Sequence, residues 1–166
     1  MKTPEFNSLL IQKNLTIATA ESITAGLLSS SIVSVSGASS VLKGGIVTYS
    51  TELKVKLLGV SPETLEKYSA ESIETTIEMV KGLSRLGLDA SIYVAITGIA
   101  SLPVTDYKIS GEVGQVYLAV LYNGELFCFQ EILQPESSQD TRNQIREKAV
   151  MFAFERIATV INKVDN

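Results

Sequence analysis

The chain of 166 residues contains no histidine. That absence excludes a Ser-His-Asp or Cys-His mechanism and removes a usual zinc ligand. A hydrolase built from these residues without a metal must take its base from Lys, Asp, Glu or Tyr. Cysteine occurs once, as Cys128, so no internal disulfide can form. Its apolar neighbours, Leu126, Phe127 and Phe129, predict a buried and inert thiol. Long apolar runs are missing too. No stretch approaches the ~20 residues of a membrane span, and residues 1–13 are too polar for a secretory leader. The expected location is cytoplasmic, with no membrane partner. Positive charge is also short: 14 Lys and Arg against 18 Asp and Glu leave a net charge of −4. The basic residues are scattered, which argues against nucleic acid as a partner. A small anionic ligand is still compatible, because one arginine or one helix N-terminus can hold it.

Apolar residues make up 45% of the chain and charged residues 19%, a balance that forms a core rather than a disordered tail. The length fits a single domain over 1–166. Apolar spacing predicts helices over 6–12, 24–35, 51–58, 70–86 and 139–162, with a further helix starting at Ser61-Pro62-Glu63. Strands are predicted over 15–20, 45–50, 92–97, 113–121 and 126–133. Asn123-Gly124 marks a hairpin between the last two. The 92–97 segment is nearly all apolar, as a strand covered on both faces would be. Segments 36–44 and 98–111, the latter with Pro103, read as irregular loops. The order predicts an α/β fold: a three-layer sandwich with a mixed sheet and helices on both faces.

Four places could carry chemistry. Ser39, Tyr49 and Lys54 supply a hydroxyl, a phenol and an amine. A lysine kept neutral by burial can deprotonate a serine, with a tyrosine to relay or orient. Residues 29–40 hold seven serines, however, most of them suited to loops and caps. The turn from Thr19 to Gly26 could aim backbone N–H groups at a phosphate or oxyanion, or be a capped helix start. Thr97-Gly98 could present a hydroxyl and a close approach at a strand end. Arg142 and Arg146 share a helix face and could hold a phosphate or carboxylate, or pair with Asp140 and Glu147. Residue types alone do not choose among these.

Taken together, Ala20-Glu21-Ser22-Ile23-Thr24-Ala25-Gly26, Gly37-Ala38-Ser39-Ser40, Gly45-Ile46-Val47-Thr48-Tyr49-Ser50, Lys54, Leu58-Gly59-Val60, Thr97-Gly98-Ile99-Ala100 and Val113-Gly114-Gln115-Val116 resemble the CinA C-terminal family. The resemblance spans about residues 10–162. It implies an amidohydrolase that converts nicotinamide mononucleotide to nicotinate mononucleotide and ammonia, with no cofactor or metal. On that alignment Ser39 is the nucleophile, with Ser40 as its neighbour if the loop shifts by one. Lys54 is the base and Tyr49 the relay. Glu21, Ser22, Thr24, Thr97 and Gly98 are expected around the substrate, together with Arg142 or Arg146. A homo-oligomer, with a dimer as the simplest form, is also implied. The chain departs from the family pattern at Ile23 (Cys), Ala25 (Gly), Ser101-Leu102-Pro103 (Gly-Pro) and Gly111-Glu112 (Lys-Pro). These changes surround the expected pocket. They leave open a second reading, a non-catalytic module that binds a nucleotide or a partner.

Overall fold

The computed structural model describes residues 1–102, 109 and 111–165. Among them a five-stranded mixed sheet has the order β2-β1-β3-β4-β5. The strands are β1 Ile17–Glu21, β2 Leu42–Val47, β3 Ile92–Gly98, β4 Gln115–Tyr122 and β5 Glu125–Ile132. β1 runs parallel to β2 and β3, while β4 and β5 form the antiparallel arm. The helices are α1 Thr3–Gln12, α2 Leu27–Val33, α3 Thr51–Leu58, α4 Pro62–Tyr68, α5 Ile73–Ser84 and α6 Thr141–Val164. One face of the sheet is covered by α1, α2 and α6, the other by α5 with α3 and α4 packed against it. The expected three-layer α/β sandwich is the observed one.

Local chemistry explains most elements. Ser50, Ser61 and Ser72 each accept a hydrogen bond from the amide three residues on, at the starts of α3, α4 and α5. Asn123 (φ 51°) and Gly124 (φ 79°) take the left-handed pair of angles that a two-residue hairpin requires. β1 is buried at every position, as a central strand must be. On α6, Ile145, Ala149, Phe152, Ile157 and Val160 all face inward, as the apolar spacing predicts.

Several expectations need correction. β2 lies three residues earlier than 45–50, so Thr48, Tyr49 and Ser50 form the turn after it. The strand runs through Gly44-Gly45 because α2 packs there: a Cβ on Gly45 would stand 2.2 Å from Ser29 Oγ. α2 begins only at Leu27, since Ala25 (φ 48°) and Gly26 (φ 93°) are left-handed. α5 begins at Ile73 rather than 70, and its buried face is Thr75, Thr76, Met79, Val80, Gly82 and Leu83; Ile73 and Ile77 are only half-buried. Cys128 is exposed, not buried, because β5 is an edge strand with one side uncovered. Pro103 and the rest of 103–108, with 110, lie outside the described residues.

Gly82 has a direct structural use. A Cβ there would sit 1.9 Å from the carbonyl oxygen of Leu58 and 2.8 Å from its Cα. The last turn of α3 therefore rests on the bare backbone of α5. Gly82→Ala has to push α3 outward, and overpacking of this kind costs about 1–3 kcal/mol. The expected result is a melting temperature lower by several degrees, measured by thermal denaturation, despite alanine's better helix propensity.

Candidate active site

The three parallel strands β1, β2 and β3 end at one edge of the sheet, the edge where α/β folds place ligands. Ser22 follows β1 directly, Thr48 and Tyr49 follow β2, and Gly98 and Ile99 end β3. Backbone bonds tie these ends together. Ser22 N–H donates to the Ile96 carbonyl (3.0 Å) and Thr48 N–H to the Glu21 carbonyl (2.9 Å).

Into this junction α3 projects Lys54, whose side chain is fully buried. Its Nζ donates to Ser22 Oγ at 3.0 Å, to the Thr48 carbonyl at 2.6 Å and, weakly, to the Tyr49 carbonyl at 3.5 Å. Burial pushes the Lys54 amine down to about 8, while the carboxylate of Glu71 opposes the shift. The choice of partners matters. Two are carbonyls that can only accept, and one is a hydroxyl that can do either. When Lys54 loses a proton, its two remaining N–H bonds stay with the carbonyls. The lone pair then faces Ser22, whose hydroxyl turns from acceptor to donor. At pH 7 about one molecule in ten has this neutral amine.

Ser22 opens into a cavity of about 690 Å³, within the range of roughly 300–1,000 Å³ usual for small-molecule sites. Ile23, Ile99, Ala100 and Leu102 give it an apolar side, and Tyr49, Glu71, Ser101 and Arg142 a polar one. Arg142 reaches in from α6, donating to Tyr49 Oη at 2.8 Å and to Ser101 Oγ at 2.5 Å.

Behind Ser22, the Glu21 carboxylate is fully buried and accepts six hydrogen bonds. Oε1 takes those of Thr19 Oγ1 (3.2 Å), Ser29 N–H (2.9 Å) and Ser29 Oγ (2.5 Å). Oε2 takes those of Thr24 Oγ1 (2.7 Å), Gly26 N–H (2.9 Å) and Leu28 N–H (3.0 Å). A side chain of the protein thus occupies the anion seat at the start of α2, which satisfies amides that helix geometry leaves without partners.

The sequence profile of the CinA C-terminal domain matches residues 3–161. The chain belongs to this family. It is 38% identical over 155 residues to a CinA-like protein of Petrotoga mobilis, covering 93% of this chain and 36% of that protein. To a CinA-like protein of Kosmotoga olearia it is 44% identical over 148 residues, covering 89% and 34%. The chain thus spans about a third of the length of these relatives. Among solved structures, the competence damage-inducible protein A of Klebsiella pneumoniae superposes with a TM-score of 0.83 at 26% identity, covering 98% of both chains. The CinA superfamily protein of Escherichia coli superposes at 0.82 with 28% identity, covering 95% of this chain and 87% of that one.

Within this CinA fold the expected residues separate. Lys54 stands at the centre, and Ser22 touches it. Ser39 does not come near: it lies exposed in a short 3-10 turn, Ala38–Ser40, ahead of β2. That is the opposite edge of the sheet, about 20 Å of strand away. Ser40 is exposed beside it, its hydroxyl donating to the Gly37 carbonyl at 2.8 Å. Tyr49 offers Lys54 its carbonyl, while its phenol oxygen accepts from Arg142. Glu21 and Thr24 face each other, not the cavity, and the turn amides of Gly26, Leu28 and Ser29 are already engaged. Thr97 is fully buried against Thr76 Oγ1 (2.8 Å). Gly98 does line the cavity, although its lack of a side chain serves packing, with the Gln115 carbonyl 2.5 Å from where a Cβ would be. Of the arginines, Arg142 enters the cavity. Arg146 instead donates to the carbonyls of Ile23 (3.2 Å) and Thr24 (2.9 Å). Glu112 is exposed and is not among the cavity-lining residues.

The sequence pattern puts Ser22 among substrate contacts but does not reveal its contact with Lys54, nor that Glu71 lines the cavity. A usable signal existed for Ser22: it immediately follows a buried strand in a parallel arrangement, whereas Ser39 precedes one. No helix among the described residues is long and apolar enough to cross a membrane.

Proposed function

We propose that this chain is an amidohydrolase that cleaves the carboxamide of nicotinamide mononucleotide, with Ser22 as nucleophile and Lys54 as general base. The observation that carries this reading is the 3.0 Å contact between Ser22 and a buried lysine whose other partners can only accept. Neutral Lys54 takes the Ser22 proton as Oγ attacks the carboxamide carbon. The oxyanion that forms has a candidate donor in the amide of Ile23, which lines the cavity and has no hydrogen-bond partner among the described residues. The Lys54 ammonium then returns its proton to the departing nitrogen, and ammonia leaves. A water activated by Lys54 releases nicotinate mononucleotide and frees Ser22. Arg142, held by Tyr49, receives the phosphate. The family membership supports the substrate class.

Ammonia release from nicotinamide mononucleotide tests the proposal. The unmodified protein is expected to release it. Ser22→Ala is expected to abolish release, while Ser39→Ala leaves it within about twofold. Loss of activity in Ser39→Ala alone would restore the other serine as nucleophile. No release from the unmodified protein, with the nucleotide still bound in a titration, would favour the non-catalytic binding module.

A further inference from the structure

The turn that begins with Ser22 is gripped by charges of opposite sign. Ala25 N–H donates to the Ser22 carbonyl at 3.1 Å, which closes a β-turn with Ile23 and Thr24 as its central residues. The Glu21 carboxylate takes the amides downstream of it, those of Gly26, Leu28 and Ser29. The carbonyls of the turn go to a cation. Arg146 Nε donates to the Ile23 carbonyl at 3.2 Å and Nη2 to the Thr24 carbonyl at 2.9 Å. The third nitrogen, Nη1, donates to Asn143 Oδ1 at 2.8 Å, and Asn143 Nδ2 in turn donates to the Asp140 carboxylate at 3.0 Å. All three guanidinium nitrogens are engaged, yet among the described residues Arg146 forms no ion pair. Its positive charge is therefore not neutralised by a carboxylate in contact with it. The Ile23 carbonyl belongs to the central peptide of the turn. Rotation of that peptide separates type I from type II turns, and type II needs a positive φ at the third residue. Thr24 does not have one. Arg146 thus holds the central peptide in one of its two orientations, while not itself lining the cavity.

We propose that Arg146 is a positioning residue for amide hydrolysis: it locks the Ser22–Ala25 turn so that the Ile23 N–H meets the developing oxyanion, and its charge stands behind that amide. This rests on the amidohydrolase reading. Nε is 3.2 Å from the Ile23 carbonyl oxygen, which backbone dimensions put within about 7 Å of the Ile23 nitrogen. The negative charge that grows on the oxyanion is absent from the bound amide. A cation at this distance therefore favours the transition state over the ground state. Arg142 and Arg146 stand one turn apart on α6 and divide the work. Arg142 reaches the ligand, and Arg146 reaches the turn that attacks it.

The test separates turnover from binding. Arg146→Gln is expected to lower kcat for ammonia release about 30- to 100-fold. Binding of nicotinamide mononucleotide, titrated calorimetrically in the Ser22→Ala background, is expected to stay within about twofold. Arg146→Lys keeps the charge and one donor to the carbonyls, and is expected to recover about tenfold of the loss. Amide hydrogen exchange over residues 22–29 is expected to quicken in Arg146→Gln while β1 and β3 stay protected. Should the glutamine variant fail to fold, the lysine variant decides, since it must lose kcat with binding unchanged. A kcat within about twofold of the unmodified protein overturns the proposal. So does binding weakened about tenfold with kcat retained, because Arg146 is then a ligand contact. An equal loss in the lysine and glutamine variants also overturns it, because the retained charge then contributes nothing. In each of these cases ammonia release by the unmodified protein leaves the amidohydrolase reading standing. No release from the unmodified protein sinks that reading instead, and hydrogen exchange alone then decides whether Arg146 locks the turn.

Discussion

Lys54→Met is expected to lower kcat/KM for ammonia release by at least about 10³-fold while the protein still folds. Removing a catalytic base from a serine hydrolase typically costs this much or more. Methionine preserves the length and packing of the buried stem, so the loss isolates the amine. The companion measurement is the pH profile of the unmodified enzyme. The active form needs neutral Lys54, whose burial sets its titration near 8. Activity should therefore rise about tenfold per pH unit below 8 and level off above it. The sign is diagnostic: a carboxylate base would already be ionised at pH 6, and its profile would be flat across this range. The same shift affects stability. Between about 8 and the ordinary lysine value the unfolded chain holds a proton that the folded one has released, so stability rises with pH across that window. Lys54→Met should remove that rise. Denaturation at pH 7.5 and pH 9.5, with and without the substitution, measures it.

Glu21→Gln is expected to destabilise the fold by about 2–4 kcal/mol and to take most of the activity with it. The carboxylate receives six donors and offers none. An amide has one donor group, which must meet a donor whichever way it turns. On the Oε1 side it confronts the Ser29 N–H; on the Oε2 side, those of Gly26 and Leu28. The hydroxyls of Thr19, Thr24 and Ser29 can rotate to accept, but backbone amides cannot. At least one buried N–H loses its partner, and a charged acceptor becomes a neutral one. The damage falls on the turn that begins with Ser22, so kcat should drop even where the variant is folded. Thermal denaturation gives the first quantity, and turnover below the variant's melting range gives the second. A fully stable Glu21→Gln protein would show that the carboxylate network is dispensable.

What could be read in advance differs between elements for physical reasons. The hairpin at Asn123-Gly124, the Ser-Pro start of α4 and the inward face of α6 depend on neighbours in the chain, and all were legible. β2 starts ahead of its apolar signal because glycines at 44 and 45 carry no strand signal; the reason for Gly45 lies in α2, packed against the sheet. The start of α2 is hidden in the sequence because Glu21, which occupies its amides, looks like an ordinary acid near a helix. Ala25 takes a left-handed φ of 48° where the family has glycine, and nothing local to the sequence announces it. Cys128 has apolar neighbours but lies on an edge strand, and edge position is a property of the sheet.

The site shows the same division. The missing histidine and the presence of Lys54 already directed the chemistry toward a lysine base, because residue type limits which groups can move a proton near neutral pH. Which serine lies against that lysine depends on strand direction. Ser22 ends a parallel strand and Ser39 precedes one, so the two hydroxyls stand at opposite edges, although Ser39 is the closer to Lys54 in sequence. Burial of the amine, its two carbonyl partners and the placement of Glu71 in the cavity likewise depend on segments far apart in the chain. Those are tertiary facts, and they give this lysine a lowered pKa and a hydroxyl partner that nothing local to the sequence reveals.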